Sequence, residues 1–341
     1  MVSHRSLWSV RPHLLRSIPK LAPPFDRQRR FLLLTGVGAL MAAACSGPAQ
    51  TTDASTDIEA TTTRQIQHAY GATAVPANPA RVVVLGLPTI EAAMALGVEP
   101  VAAPAIVLDN LLHLPETEGE VVDIGGPVEP NLETLAATNP DLILTSKVAT
   151  NEDNYRLLSQ IAPTVAFDID DFTEWKTVTQ LCGEALGKEA EAAQLAANYA
   201  AKLQEFKSAL DKDPSDIEIS VVVIFTDRIA TLGGDSFPGI VLADAGLSRP
   251  AKQVSGANVQ ISMELLEDID GDAMFLLKPQ GQTELAADVR DSVERTKANP
   301  LWAQLETVQA ETVYEVDAYW YGAGYLAANQ ILDDLMTYLP D

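Results

Sequence analysis

Residues 81–97 read RVVVLGLPTIEAAMALG, and the pattern of this stretch decides the fold. Its first part, residues 81–87, is a short and almost unbroken apolar run, which is typical of a parallel strand buried on both faces. Thr89 follows where a side chain can cap a helix, the helical pattern covers residues 90–96, and Gly97 ends it. The stretch therefore predicts a strand followed directly by a helix.

The same alternation continues along the chain. Strands are predicted at 100–103, 121–124, 141–145 and 164–167, with helices at 131–138 and 152–161. A second set has strands at 217–225, 273–277 and 313–316, with helices at 238–245, 262–269, 299–305 and 323–339. This alternation predicts mainly parallel sheets covered by helices.

A long helical pattern separates the two sets. Apolar residues recur at helical spacing over 173–186, Gly187 interrupts the pattern, and it resumes over 188–210. At 1.5 Å per residue the second segment extends about 35 Å. The predicted fold is therefore α/β, with two Rossmann-like lobes (64–187 and 211–341) joined by a single long helix at 188–210.

The first 44 residues have the layout of an export signal. Residues 1–30 carry seven basic side chains and one acid, and the apolar run at 31–44 is shorter than the roughly 20 residues that span a bilayer. The following AAACSG, residues 42–47, resembles a bacterial lipobox in which Cys45 becomes the lipidated first residue, although Ala42 stands where Leu is usual. An ordinary signal with an incidental cysteine is the alternative, and the export route, general or twin-arginine, is left open. Residues 45–63 are predicted to form a flexible tether.

The charge excludes several classes of protein. The chain has 341 residues, a net charge of −24 and 47% hydrophobic residues. Without residues 1–44 the charge falls to about −30, which excludes nucleic acid as the main partner. The apolar content excludes a disordered acidic chain. Two cysteines exclude a disulfide scaffold, and Cys182 is predicted to be a core residue.

Several short motifs occur in a characteristic order after residue 64. They are HAYG at 68–71, VPANPARVVVL at 75–85, LGVEPV at 96–101, GPVEPNLE at 126–133, NPDLI at 139–143, LSQIAP at 158–163, GDSF at 234–237, ISME at 261–264, NPLW at 299–302 and VYEVD at 313–317. This ordered set resembles the iron–siderophore class of periplasmic substrate-binding proteins, of the ferric citrate and ferric hydroxamate type. The resemblance covers about residues 64–341.

The resemblance implies a function. Such a protein is a non-catalytic, monomeric receptor that binds a ferric siderophore in a cleft between its lobes, without an intrinsic cofactor. It delivers the ligand to the permease of an ABC importer, and a lipid anchor would hold it at the membrane outside the cytoplasm. Glu133 and Glu264 match the two acids that dock onto the permease. A helix dipole alone also favours acids at these positions, and both interpretations can hold together.

Candidate ligand-binding residues follow from the predicted sheets, because ligands bind beyond the carboxyl ends of parallel strands. Aromatic faces can pack on the arms of a siderophore, and a guanidinium can pair with a carboxylate or catecholate. For each residue a core position or a solvated loop is the alternative. The candidates are Thr89, Lys147, Arg228, Lys278, Tyr319, Trp320 and Tyr321.

Other functions lack their motifs. After residue 44 only His68 and His113 are available for a zinc or manganese site, and Gly-x-Ser-x-Gly and phosphate-binding loops are absent from the sequence. Two alternatives stay open: a cobalamin or haem receptor of the same fold, and a ligand-free protein of the cell envelope. A cleft lined by tyrosine and tryptophan side chains would distinguish these receptors from the ligand-free protein.

Overall fold

The N-terminal half begins with a hairpin and continues as a parallel sheet. The computed structural model describes residues 62–104, 114, 119–279 and 284–339. The elements of this half are β1 (Thr63–His68), β2 (Gly71–Pro76), β3 (Val82–Val84), α1 (Leu87–Ala95), β4 (Ala102–Ala103), β5 (Val122–Asp123), α2 (Leu132–Ala137), β6 (Leu142–Ser146), α3 (Glu152–Leu158) and β7 (Thr164–Phe167).

The order of the parallel strands is β5-β4-β3-β6-β7. Every residue of β3, β6 and β7 is buried, as their apolar sequences predict. The hairpin β1–β2 is antiparallel and was not predicted.

One detail of the deciding stretch differs from its prediction. Helix α1 begins at Leu87 rather than at residue 90, and Gly86 is its N-cap residue. Gly86 has a φ of 109°, which glycine adopts without the steric cost that other residues incur. Pro88 favours the first helical turn. Thr89 is therefore a buried residue inside α1 and does not cap it.

Two consecutive helices follow, α4 (Trp175–Leu186) and α5 (Glu189–Ala209). Gly187 ends α4 in the left-handed conformation, with a φ of 71°, as the sequence pattern indicates. The predicted bounds of the long helix, 188–210, differ from those of α5 by one residue at each end.

The C-terminal half is a mixed sheet with helices on its faces. Strands β8, β11 and β12 are parallel, whereas β9 and β10 run antiparallel to their neighbours, in the order β10-β9-β8-β11-β12. Its elements are β8 (Ile219–Ile224), β9 (Ile229–Thr231), α6 (Phe237–Ala245), β10 (Val259–Ile261), β11 (Ala273–Leu277), α7 (Glu284–Lys297), α8 (Glu306–Gln309), β12 (Val313–Val316) and α9 (Tyr325–Tyr338).

The sequence missed β9, β10, α7 and α8, and it overestimated two helices. The helix predicted at 262–269 is only a 3-10 turn at Leu266–Ile269. The helix predicted at 299–305 is a 3-10 turn at Trp302–Gln304.

The two halves also contact each other through packing, and both belong to one compact unit. Trp175, at the start of α4, is fully buried in the C-terminal core, while Val178 and Cys182 of the same helix lie in the N-terminal core. Helix α4 therefore contributes to both cores.

The predicted export signal and Cys45 lie outside the described residues. Within the described part of the chain, no helix is both long and apolar enough to cross a membrane. Cys182 is fully buried, and burial raises the pKa of its thiol.

Candidate ligand-binding cleft

A cavity of about 560 Å³ is lined by loops from both halves of the molecule. The N-terminal half contributes residues 86–88, Pro127 and residues 171–173, which follow β3, β5 and β7. The C-terminal half contributes Leu232, residues 235–238, residues 257–258 and residues 321–323. Most of these segments follow the carboxyl ends of strands, where α/β proteins bind ligands. The volume lies within the usual range for small-molecule sites.

Local turn structure holds the C-terminal wall of this cleft. Ser236 caps α6: its Oγ accepts a hydrogen bond from the Gly239 N–H at 3.2 Å and donates to the Gly233 carbonyl at 2.6 Å. Gly233 and Gly234 allow close backbone packing, since a Cβ at either position would come within 2.3 Å of a carbonyl oxygen. The loop can therefore place Asp235 and Phe237 at the cleft.

The walls are largely apolar and aromatic. Phe172 from one half and Tyr321 from the other expose 44% and 40% of their surface, a high fraction for large apolar residues. Partial desolvation of its phenol raises the pKa of Tyr321 to about 12, although the positive charge of Arg228 opposes the shift. Tyr321 therefore stays neutral at physiological pH and can donate a hydrogen bond to a ligand.

Two carboxylates, one from each half, also belong to the cleft wall. Asp171 accepts a hydrogen bond from the Thr173 N–H at 2.7 Å, and Asp235 accepts one from the Gly256 N–H at 2.6 Å. Both side chains are exposed. Among the described residues that line the cleft, none is Lys, Arg or His.

The aromatic triplet 319–321 is divided between core and cleft. The prediction that Trp320 lines the cleft is wrong: its indole is fully buried, stacks on Phe275 at a centroid distance of 4.5 Å and donates to Asp334 at 2.8 Å. Tyr319 also donates to Asp334, at 2.6 Å, and packs against the C-terminal core. Of the three, Tyr321 lines the cleft.

The three predicted cations lie at strand ends, but each is paired with carboxylates nearby. Lys147 forms ion pairs with Asp168 and Asp170 at 2.5 and 2.7 Å. The pKa of Lys147 is raised, and the main cause is its hydrogen bond to Asp168. Lys278 binds Asp317 at 3.0 Å.

Arg228 binds Asp227 at 3.1 Å, and its guanidinium lies 4.0 Å from the centroid of the Phe225 ring. It lines a second cavity, of about 420 Å³, that lies within the C-terminal half. The described residues that line the cleft do not include Arg228, Lys147, Lys278 or the buried Thr89.

The sequence missed residues that build the cleft. Phe172, Leu232, Asp235 and Phe237 line it, but they lie in loops or at helix starts outside the predicted strand ends. The motif GDSF at 234–237 marked two of them without indicating their role.

A buried carboxylate supports the cleft from below. Glu91 of α1 is fully buried and accepts hydrogen bonds from the backbone N–H groups of Ala323 at 2.8 Å and Ala327 at 2.9 Å. Ala323 lines the cleft, and Ala327 lies in the first turn of α9. Glu91 thus fixes the C-terminal wall to a helix of the N-terminal half.

Glu133 and Glu264 occupy similar local turns, one in each half. The backbone N–H of Glu133 donates to the Asn131 side chain at 3.1 Å, and that of Glu264 donates to Ser262 at 3.3 Å. Both glutamates are exposed. In each case the turn presents a carboxylate to solvent.

The profile of a family described as periplasmic binding protein matches residues 82–320. This chain belongs to the periplasmic binding protein family. The resemblance and the two-lobed α/β fold expected from the sequence are thereby confirmed. Periplasmic binding proteins are solute receptors rather than catalysts.

Relatives of this periplasmic binding protein are named for binding siderophores or ferric citrate. The probable siderophore-binding lipoprotein YfiY of Bacillus subtilis is 32% identical over 295 residues, which cover 83% of this chain and 89% of YfiY. The Fe(3+)-citrate-binding protein YfmC of the same organism is 29% identical, over 82% of this chain and 86% of YfmC. The name of YfiY describes it as a lipoprotein.

A solved structure is also similar. The crystal structure of Staphylococcus aureus SirA complexed with staphyloferrin B superposes with a TM-score of 0.68 and 31% identity, covering 81% of this chain and 98% of SirA. Among the described residues of this binding protein, no group of three or more His, Cys, Asp or Glu side chains is arranged to hold a metal ion.

Proposed function

We propose that this protein is an exported receptor that binds a ferric siderophore in the cleft between its lobes and delivers it to the permease of an ABC importer. The observation that carries the proposal is the cavity of about 560 Å³ between the two lobes, with Phe172 and Tyr321 exposed on its opposite sides. The named functions of YfiY, YfmC and SirA support it.

Iron would stay wrapped by its chelator throughout. The apolar walls suit the organic arms of a siderophore, and the Tyr321 hydroxyl suits one of its oxygen atoms. Such a receptor binds and releases its ligand without changing it chemically. Because residues of both lobes line the cavity, a bound ligand would contact both lobes at once.

Titration with ferric chelates tests the proposal. We expect the chain to bind at least one of a hydroxamate, a citrate and a catecholate chelate at micromolar concentration or below, measured by calorimetry. Tyr321→Ala and Phe172→Ala should each weaken binding about tenfold, since each loses an aromatic contact of about 1 to 2 kcal/mol. Leu157→Ala, at an exposed apolar residue of α3 that does not line the cleft, is the control.

Failure of all three chelates to bind would refute the proposed function. Binding of haem or cobalamin instead would assign the cleft to another ligand of the same receptor architecture.

We further propose that Glu133 and Glu264 contact the permease. The two carboxylates are exposed in similar turns, one in each lobe, so a partner with two basic sites could contact both lobes together. An acidic surface pairs favourably with arginine side chains.

Uptake measurements test the contact with the permease. Glu133→Ala and Glu264→Ala should each reduce siderophore-dependent iron uptake by cells, while the affinity of the purified receptor for its ligand stays unchanged. Glu205→Ala, an exposed acid on α5, is the control. Normal uptake by the double variant would exclude this role.

We also propose that Cys45 carries a lipid anchor. Replacing Cys45 by Ser should release the protein from the membrane fraction, since acylation needs the thiol. A membrane-bound Cys45→Ser variant would contradict the anchor.

A further inference from the structure

The cleft is acidic on both sides. Asp171 and Asp235 come from opposite lobes, and both are exposed at the cavity. The hydrogen bonds from Thr173 and Gly256 engage one oxygen of each carboxylate and fix its position. A ligand in the cavity would therefore meet a negative charge on each side.

The cations at the same edge of the sheets offset this charge only in part, although the charge of Arg228 reaches Tyr321 in the cleft. Lys147, Lys278 and Arg228 pair with carboxylates of their own lobe. Their partners are four in number: Asp168, Asp170, Asp317 and Asp227. These local clusters are already negative before Asp171 and Asp235 are added.

The undescribed segments that lie between residues 62 and 339 add no Lys or Arg to this balance. Residues 105–113, 115–118 and 280–283 contain no Lys or Arg and include three acids, at positions 109, 116 and 118. The whole chain carries a net charge of −24, so its long-range field also repels anions.

Siderophores differ in the net charge of the complex that they form with Fe³⁺. Three hydroxamates bring three negative charges and balance Fe³⁺, whereas three catecholates bring six and leave a trianion. For one unit charge about 8 Å from a carboxylate, at an effective dielectric constant near 50, Coulomb's law gives about a fourfold change in affinity.

We infer that the cleft selects ferric chelates of zero or positive net charge, such as trihydroxamates, over anionic ones. This inference rests on the proposed function, because it concerns the ligand of the same cleft. The carboxylates of Asp171 and Asp235 are the specificity-determining groups.

A charge series on one chelator tests the selection. Ferrioxamine B, its N-acetyl derivative and its N-succinyl derivative share one trihydroxamate core and are singly positive, neutral and singly negative. We expect the dissociation constant to rise about fourfold to tenfold at each step from positive to negative. About 0.5 M salt should reduce the differences in dissociation constant between the derivatives, because it screens exposed charges. Ferric dicitrate and a ferric tris-catecholate, both anionic, should bind more weakly than the neutral derivative.

Two variants assign the effect to named residues. Asp171→Asn and Asp235→Asn keep an oxygen that can accept the hydrogen bond from Thr173 or Gly256, but they remove the charge. Each substitution should reduce the ratio between the dissociation constants of the negative and the positive derivative about twofold or more. Glu205→Gln, exposed on α5, makes the same change in net charge and should leave this ratio unaltered.

The outcomes separate the inference from the proposed function. Equal or tighter binding of the anionic chelates, or binding of anionic chelates alone, would overturn the charge selection and leave the receptor function standing. An unchanged ratio in both Asn variants would overturn the roles of Asp171 and Asp235. If none of the chelates binds, the proposed function fails, and the inference fails with it.

Discussion

At the scale of single residues, Glu91 carries the strongest structural argument. Its carboxylate accepts hydrogen bonds from Ala323 and Ala327 at the start of α9, where the N-cap residue is Gly324 and has no side chain. A negative group near the N-terminus of a helix also interacts favourably with the helix dipole. The cap that α9 lacks in its own sequence is thus supplied by a helix of the other lobe.

The pair Glu91 and Gly324 gives a prediction about stability. A Cβ on residue 324 would lie 2.9 Å from both Cγ and Cδ of Glu91. We expect Glu91→Ala to lower the free energy of unfolding by about 2 to 4 kcal/mol, because two buried N–H groups lose their acceptor. Gly324→Ala should also destabilise the wild type, but much less in the Glu91→Ala background, where its Cβ has room. Urea denaturation measures the free energy of unfolding of the wild type, the two single variants and the double variant.

The exposed Glu205→Ala should change stability by no more than about 0.5 kcal/mol and serves as the control. Additive losses in the double variant would show that Glu91 and Gly324 do not interact.

Single residues also show where the sequence misled. Trp320 lies in an aromatic, glycine-rich stretch that resembles a binding loop, but its partners, Phe275 and Asp334, are far away in sequence. Nothing local distinguishes it from Tyr321, which does line the cleft. The expectation that ligands bind beyond the carboxyl ends of parallel strands identified the edge of the sheets where the cavity lies. Which side chains face the cavity depends on tertiary packing.

At the scale of elements, α4 joins the two cores. Its Trp175 packs edge-to-face against Tyr199, Phe237 and Tyr325, at centroid distances of 5.6, 5.6 and 4.9 Å. The next residue, Lys176, forms an ion pair with Asp244 of α6, and Tyr199 donates to the same carboxylate at 2.8 Å. Phe237 lines the cleft as well, so this aromatic cluster connects the lobe junction to the ligand site.

Replacing Trp175 tests whether the cluster couples the lobes. Trp175→Ala should lower the free energy of unfolding by about 3 to 5 kcal/mol and separate the unfolding of the lobes. In that variant the remaining tryptophans of the described chain, Trp302 and Trp320, both lie in the C-terminal half, so fluorescence follows that half while circular dichroism follows both. The two urea transitions should diverge.

Trp175→Phe is the matched control. It keeps an aromatic ring and removes an indole N–H that has no hydrogen-bond partner among the described residues, so we expect one transition and a smaller loss. Coincident transitions with an unchanged denaturant slope in Trp175→Ala would show that the lobes are coupled elsewhere.

Elements differ in how well the sequence predicts them. The bounds of β7, β11 and β12 were predicted correctly, because compact apolar segments between turn residues mark such strands. Strands β9 and β10 have three residues each, too few to show a period. Helix α7 was missed because its sequence is mostly polar and contains few large apolar residues.

At the scale of the whole molecule, two lobes with separate sheets line one cavity, and the chain as a whole is acidic. The net charge of −24 excludes nucleic acid as the main partner but does not say where the acids act. We propose that part of that charge, on Asp171 and Asp235, acts in ligand selection, and that another part, on Glu133 and Glu264, acts in docking. The charge could be counted from the sequence, whereas its distribution over the two lobes needed the fold.

Location of the iron tests the central claim most directly. Crystals of the protein grown with a neutral ferric trihydroxamate should show one anomalous peak at the iron absorption edge. We predict that this peak lies in the cavity between residues 86–88 and 171–173 of one lobe and residues 235–238 and 321–323 of the other, with only chelator oxygens bound to iron. An iron atom outside this cavity, or one bound directly by protein carboxylates or imidazoles, would contradict the account.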